Sequence, residues 1–262
     1  MKWFVSSDIH GFYDEWMDAL DEAGFDIDTK EHHIILCGDL LDRGPQPREC
    51  LEFVNSLIEQ DRIICIMGNH EILMRDLLKN KLPAEYDYHN GTKQSVDDLI
   101  KGGSFQDKCY SLLVDADWHD YFNHCQWYYE TEHYIFVHSY VPYDRNHFTP
   151  LENWRDISSA TRSNWEDFAT WVNPFLMWAK NGNTYLDGKT LVCGHWNASY
   201  AHCHFGNCDK EFLNKYETMW IDSEGIQHPT VSHDTFYGEG IIGLDACTVI
   251  SHQVNVLVLE DL

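Results

Sequence analysis

Three times between Met1 and Glu71 the chain runs through a short β-rich apolar stretch and then breaks into a polar, glycine-bounded cluster. Residues 2–7 lead into Asp8-Ile9-His10-Gly11. Residues 33–37 lead into Gly38-Asp39-Leu40-Leu41-Asp42-Arg43-Gly44, and residues 62–67 into Gly68-Asn69-His70-Glu71. Between the runs lie segments with helical spacing. Residues 12–23 carry Trp16, Leu20 and Ala23 and stop at Gly24; residues 50–58 follow Pro45 and Pro47; residues 72–78 close the series. Strands alternating with helices at this spacing predict βαβ units and a partly parallel sheet. Few other folds accept the pattern.

Beyond residue 80 the pattern loosens. Residues 83–131 are polar and aromatic, with helical pieces at 96–100 and 109–113 and a loop at Asn90-Gly91. Strands return at 133–137 and 190–193, enclosing a second insert at 139–189 that holds Trp154, Trp165, Trp171 and Trp178. An irregular stretch at 198–215 precedes strands at 218–221, 241–245 and 254–260. No repeat, low-complexity tract or linker interrupts the series, so residues 1–262 read as one domain with two inserts.

Composition narrows the partners. With 18 Lys+Arg against 43 Asp+Glu the formal net charge is −25, the wrong sign for a phosphate backbone, so nucleic acid is not an expected partner. Hydrophobic residues at 44% and aromatics at 14% exclude general disorder. No apolar run approaches the ~18 residues of a membrane span, and residues 1–7 are too short for a secretory signal. The nine cysteines are odd in number and widely spaced, without a C-x-x-C, and several sit inside apolar runs. A reduced, cytoplasmic chain is expected.

The chemistry gathers where strands end, which is where open α/β sheets bind ligands. The later runs terminate in Val137-His138-Ser139 and Gly194-His195-Trp196. Carboxylate, imidazole and amide oxygen together suit divalent cations such as Mn, Fe or Zn, and no thiolate cluster competes. One Asp-x-His is an ordinary surface pair. Five strand ends, each carrying His, Asp or Asn, imply convergence on one site.

These motifs resemble the phosphoprotein-phosphatase branch of the calcineurin-like metallophosphoesterases. That branch reads GDxHG, GDxxDRG, GNHE, a later His-Gly and a later Gly-His; S-D-I-H-G, G-D-L-L-D-R-G, G-N-H-E, V-H-S and G-H-W stand here, and Gly243-Leu244-Asp245-Ala246-Cys247 is similar to its I-D-T-G stretch. The resemblance implies an α/β fold, a four-layer αββα sandwich of helices around two mixed sheets. It implies two divalent ions, Mn²⁺ foremost with Fe, Zn, Ni or Mg as others. Asp8 and His10 would bind one, Asp39 would bridge both, and Asn69, His138 and His195 would hold the other, the allotment of the two later histidines staying open. Two such ions ~3.5–4 Å apart clamp a phosphoryl group and supply a bridging hydroxide for in-line attack. His70 would protonate the leaving oxygen, Asp42 would orient that imidazole, and Arg43 would fork onto phosphate oxygens with Asn69 beside it. Glu71 takes the structural role of accepting bonds from loop amides or from Arg43.

Departures from the branch bear on substrate. His138 lacks its glycines, Trp196 replaces a threonine, and the second phosphate-binding arginine has no motif match. Arg145, Arg155 and Arg162 lie in the interval, while the matching place, residues 170–174, has none. His89-Asn90-Gly91-Thr92 resembles a loop near the site, placing His89 and Asn90 as substrate contacts. His202, Cys203, His204 and Cys208 form a possible third metal group, spaced unlike structural zinc sites.

The expected activity is hydrolysis of phosphomonoesters, with phosphoserine or phosphothreonine proteins foremost and phosphotyrosine beside them. A diadenosine tetraphosphate hydrolase is the alternative within the same chemistry. A catalytically silent metal-bound binding module is the alternative of another class, and the His70/Asp42 pair argues against it.

Overall fold

The computed structural model describes residues 1–157, 165–206, 219–221, 227–229 and 232–260. From the N-terminus, β1 (Lys2–Ser6), α1 (Tyr13–Glu22), β2 (His32–Leu36), α2 (Pro47–Ile58), β3 (Ile63–Ile66) and α3 (Asn69–Asn80) follow the expected alternation. The first insert is more helical than its polarity suggests: α4 (Glu85–His89), α5 (Thr92–Leu99), α6 (Phe105–Leu113) and α7 (Ala116–His124) lead into β4 (Cys125–Gln126), β5 (Tyr128–Glu130) and β6 (Tyr134–Val137). Ser104 and Asp115 start α6 and α7 by accepting the Asp107 and Trp118 amides, as N-cap residues do. After the tryptophan-rich insert, with α8 (Pro174–Lys180), come β7 (Thr190–Cys193), α9 (Ala198–Phe205), the hairpin β8 (Met219–Ile221) and β9 (Gln227–Pro229), then β10 (Phe236–Gly238), β11 (Ile241–Gly243), α10 (Thr248–Ser251) and β12 (Leu257–Glu260). The expected irregular stretch at 198–215 is corrected in its first part. Residues 198–205 are helical because Ala198 and Ala201 fit without a Cγ where α9 packs on the core.

Two five-stranded mixed sheets form, ordered β12-β1-β2-β3-β4 and β10-β11-β7-β6-β5. Alternation along the strands assigns the layers. Trp3, Val5, Ile35, Phe136, Val192 and Ile242 point between the sheets and pack together. Phe4, Ile34 and Leu36 point the other way, against Trp16 and Leu20 of α1, Leu51 and Val54 of α2, and Leu77 of α3. On the outer face of the second sheet, Ile135, Val137, Leu191 and Cys193 pack under Trp154, Trp165, Phe175 and Ala198. The result is the αββα sandwich. Cys37, Cys50, Cys65, Cys109 and Cys193 are buried free thiols, behaving as small hydrophobes. Among the described residues no helix is long and apolar enough to cross a membrane.

Register sets up the site. β1, β2 and β3 are parallel, with Ser6 opposite Leu36 and Leu36 opposite Cys65. In the second sheet Phe136 lies opposite Val192, and Cys193 opposite Gly243. The parallel strands therefore leave the two sheets at one rim, and β1, β2, β3, β6 and β7 carry the polar clusters with them.

Candidate metal centre

Asp8 and His10 lie on the turn after β1, Asp39 on the turn after β2, Asn69 and His70 in the first turn of α3, His138 after β6 and His195 after β7. The turns are locked by backbone bonds: the His10 amide donates to the Asp39 carbonyl at 3.0 Å, Gly11 to Leu40 at 2.8 Å, and Gly194 to His138 at 2.8 Å. Asp8, His10, Asp39, Asp42, Arg43 and His195 all adopt left-handed φ, between 52° and 75°. Such backbone persists in non-glycine residues only where the surroundings enforce it. Close approach supplies that enforcement. A Cβ on Gly194 would overlap Ser7 Oγ and Asp8 Oδ2, so only glycine lets the two sheets' turns meet.

Asp39 is the hub. Its Oδ2 lies 3.7 Å from His10 Nε2 and 3.9 Å from His70 Nε2, while its Oδ1 lies 3.5 Å from His138 Nε2. Asp8 Oδ1 is 4.0 Å from His10 Nε2. Two groups of converging ligand atoms result: Asp39 with His10 and His70, and Asp39 with His138 and His195. Asn69 Oδ1 joins the second group, 2.8 Å from His138 Nε2. One carboxylate thus presents different oxygens to two donor sets, the arrangement a bridging ligand needs.

Outer partners fix the tautomers. His10 Nδ1 donates to the Leu41 carbonyl at 3.1 Å and His138 Nδ1 to the Cys37 carbonyl at 2.8 Å, which turns both Nε2 lone pairs inward. Burial pushes the His10 and His138 imidazoles well down, and His195 down to about 4, so all three are neutral and competent as ligands. Burial and mutual repulsion push the Asp8 and Asp39 carboxyls well up, Asp8 by its neighbour Asp245 and Asp39 by Asp8 and Glu71. Arg43 offsets these buried carboxylates in part, and divalent cations would supply the remaining counter-charge. The donor set fits the two ions that the motifs imply.

The proposed acid–base group is also assembled. His70 Nδ1 lies 2.7 Å from Asp42 Oδ2. Arg43 reaches across with its fork, NH1 donating to His10 Nε2 at 3.0 Å and NH2 to His70 Nε2 at 3.1 Å. Glu71 does what was expected of it, but without Arg43. It accepts the Asp39, Leu40 and Gly68 amides at 2.9–3.0 Å and the Tyr121 hydroxyl at 2.8 Å.

The remaining sequence expectations divide. The Asn90–Thr92 turn packs on Arg43 and Asp42, whereas His89 is exposed at the end of α4. Arg155 cannot serve as the second phosphate arginine, because Glu130 and Asp187 hold it at 2.7 and 2.9 Å; Arg162 lies outside the described residues. Trp171, from the arginine-free stretch, stands 6.4 Å from the His195 ring and is 41% exposed. His202 bonds the Asp234 carbonyl and His204 stacks on Tyr200, so within α9 these rings diverge; Cys208 lies outside the described residues. Tyr121 and Thr92 received no role from sequence reasoning. Tyr121 carries no motif, while Thr92 ends a turn whose neighbours drew attention as substrate contacts.

Residues 1–229 match the family model of the calcineurin-like phosphoesterases. The chain belongs to that family. Curated relatives include a symmetrical bis(5'-nucleosyl)-tetraphosphatase of Buchnera aphidicola, 36% identical over 28% of this chain and 25% of the relative. An asymmetrical bis(5'-nucleosyl)-tetraphosphatase of Bacillus velezensis is 32% identical over 27% of this chain and 30% of its own. These matches span about a quarter to a third of the relatives' length. Among solved structures, a cold-active protein-tyrosine phosphatase of a psychrophilic Shewanella aligns over 99% of this chain and 75% of its own, at TM-score 0.54 and 17% identity. A candidate diadenosine tetraphosphatase aligns over 98% and 92%, at TM-score 0.51 and 13% identity. At these identities the likeness concerns the fold.

Proposed function

We propose that the protein is a two-metal phosphomonoesterase acting on phosphorylated proteins, on phosphoserine and phosphothreonine foremost and on phosphotyrosine beside them. The observation that carries this reading is the His70–Asp42 pair beside the Arg43 fork, at the rim of the Asp39-centred donor set. A binding module needs no such pair. Asp8 and His10 would hold one ion, Asn69, His138 and His195 the other, and Asp39 both. When bound, the ions, Mn²⁺ in this reading, supply an activated water and neutralise phosphoryl charge.

The chain's own residues do the rest. Arg43 turns its two N–H pairs from the imidazoles to two phosphoryl oxygens and compensates their growing charge. Protonated His70 delivers its Nε2 proton to the leaving oxygen, while Asp42 holds the ring through Nδ1 and stabilises its cationic form. Buried thiols at Cys37, Cys65 and Cys193 support a reducing, cytoplasmic setting.

A second reading, a dinucleoside polyphosphate hydrolase, is favoured by one observation. The exposed Trp171 ring beside His195 offers a face on which a nucleobase would stack. The chain's net charge of −25 favours the phosphoprotein instead, since a polyphosphate meets more repulsion. Comparing kcat/KM on a phosphoseryl peptide and on diadenosine tetraphosphate decides between them. Chelation is expected to abolish hydrolysis of both and added Mn²⁺ to restore it. Activity untouched by chelation sinks the two-metal reading.

A further inference from the structure

Thr92 is fully buried at the start of α5, outside the donor set around Asp39. Its hydroxyl donates to Asp42 Oδ2 at 2.7 Å, the same oxygen that His70 Nδ1 reaches at 2.7 Å. The other oxygen, Asp42 Oδ1, is buried and has no hydrogen-bond partner among the described residues. Both donors therefore act on one oxygen. The last torsion of an aspartate is broad and roughly twofold, so a single bond to an imidazole leaves the carboxylate plane free to turn. A second donor, anchored on a helix end, fixes it.

The preceding residue acts on the same loop. Gly91 has φ +81°, and a Cβ there would overlap the Arg43 amide nitrogen. Asp42 and Arg43 hold φ of 75° and 69°, a left-handed geometry unfavourable for non-glycine residues. The Gly91-Thr92 step is packed against that strained pair and bonded to it.

We infer that Thr92 is a positioning residue for proton delivery. It fixes the Asp42 carboxylate, and through it the direction in which His70 presents Nε2 to the leaving oxygen. The inference rests on the proposed role of His70 as proton donor. Its signature follows from leaving-group basicity. An alkoxide leaving from a seryl ester needs the proton, whereas nitrophenolate leaves without one. Loss of Thr92 should therefore weigh on kcat for the alkyl ester and spare the aryl ester.

The test compares Thr92→Val and Thr92→Ser with the wild type, all Mn²⁺-loaded, on a phosphoseryl peptide and on p-nitrophenyl phosphate, with His70→Asn as reference. Thr92→Val is expected to lower kcat on the peptide roughly tenfold, leave KM within about twofold, and change p-nitrophenyl phosphate turnover little; Thr92→Ser should restore the wild-type pattern. In protein loaded instead with diamagnetic Zn²⁺ or Mg²⁺, the His70 Nδ1 proton should be sharp by NMR in the wild type and Thr92→Ser, and broadened in Thr92→Val. Equal losses on both esters, a rise in KM alone, or no recovery in Thr92→Ser overturn the inference. If His70→Asn shows no dependence on leaving group, the proton-donor reading itself fails, and an Nδ1 signal unchanged in Thr92→Val then also refutes the positioning contact. Should Thr92→Val not fold, Thr92→Ala against Thr92→Ser repeats the comparison.

Discussion

His70 sits between two demands. Its ring packs edge-on against His10 at 4.6 Å, and its Nε2 lies 3.9 Å from the Asp39 carboxylate, yet its Nδ1 is committed to Asp42. The first contact resembles a ligand's place and the second a proton donor's. The two roles separate experimentally. His70→Asn is expected to lower kcat at least about 100-fold, the usual scale of general acid catalysis, while metal content stays near two ions per chain by elemental analysis. Loss of metal would instead make His70 a ligand. At this scale most of the centre was legible, because Asp8, His10, Asp39, Asp42, His70 and Glu71 sit in short glycine-bounded motifs. Tyr121 was not legible. It reaches Glu71 across 50 residues, from a helix that carries no motif.

Elements place what residues supply. The parallel strands were readable because β-branched runs alternate with helical segments, and β1, β2 and β3 fall within a residue or two of their expected bounds. The helices of the first insert were harder to read, as α4 and α7 owe their starts to Asp87 and Asp115 rather than to a strong apolar period. Between the sheets, Phe136 has no exposed surface. Phe136→Ala should cost about 3–5 kcal/mol through lost burial and a residual cavity, seen as a lower denaturant midpoint with an unchanged slope. At the edge of the second sheet, Glu130 on β5 is held down to about 2 by Arg155, with Lys189 assisting. Its folded value lies below its ordinary 4.5. The stabilisation is therefore complete above that ordinary value and lost as pH falls through the folded one. For partly exposed partners it is no more than about 1 kcal/mol. Glu130→Gln should accordingly lower Tm at about pH 6 and match the wild type only below about pH 2, as read by calorimetry.

Over the whole molecule the charge of −25 sets the approach of a ligand. Local positive charge comes from Arg43 and the proposed ions, while the surrounding field repels anions. Raising ionic strength from about 0.02 M to about 0.2 M shortens the Debye length roughly threefold. The kcat/KM for a phosphopeptide with acidic flanks should rise over that interval, and for one with basic flanks it should fall. Stopped-flow kinetics on the two peptides checks this; equal responses would show that the field does not steer.

The turn where Gly194 meets Ser7 and Asp8 also carries a consequence for how the chain is made. The His195 amide bonds Asp8 across 187 residues, and the Thr248 hydroxyl bonds the Asp8 carbonyl across 240. Contacts so distant in sequence close late and at high entropic cost. Once α3 has been made, Asp8, Asp39 and His70 are all in the chain, but the two halves of the centre cannot meet until the second sheet follows. The centre is thus completed only by contacts that span residues 8 to 248, and until β7 follows, the nascent chain carries an open, acidic half-site.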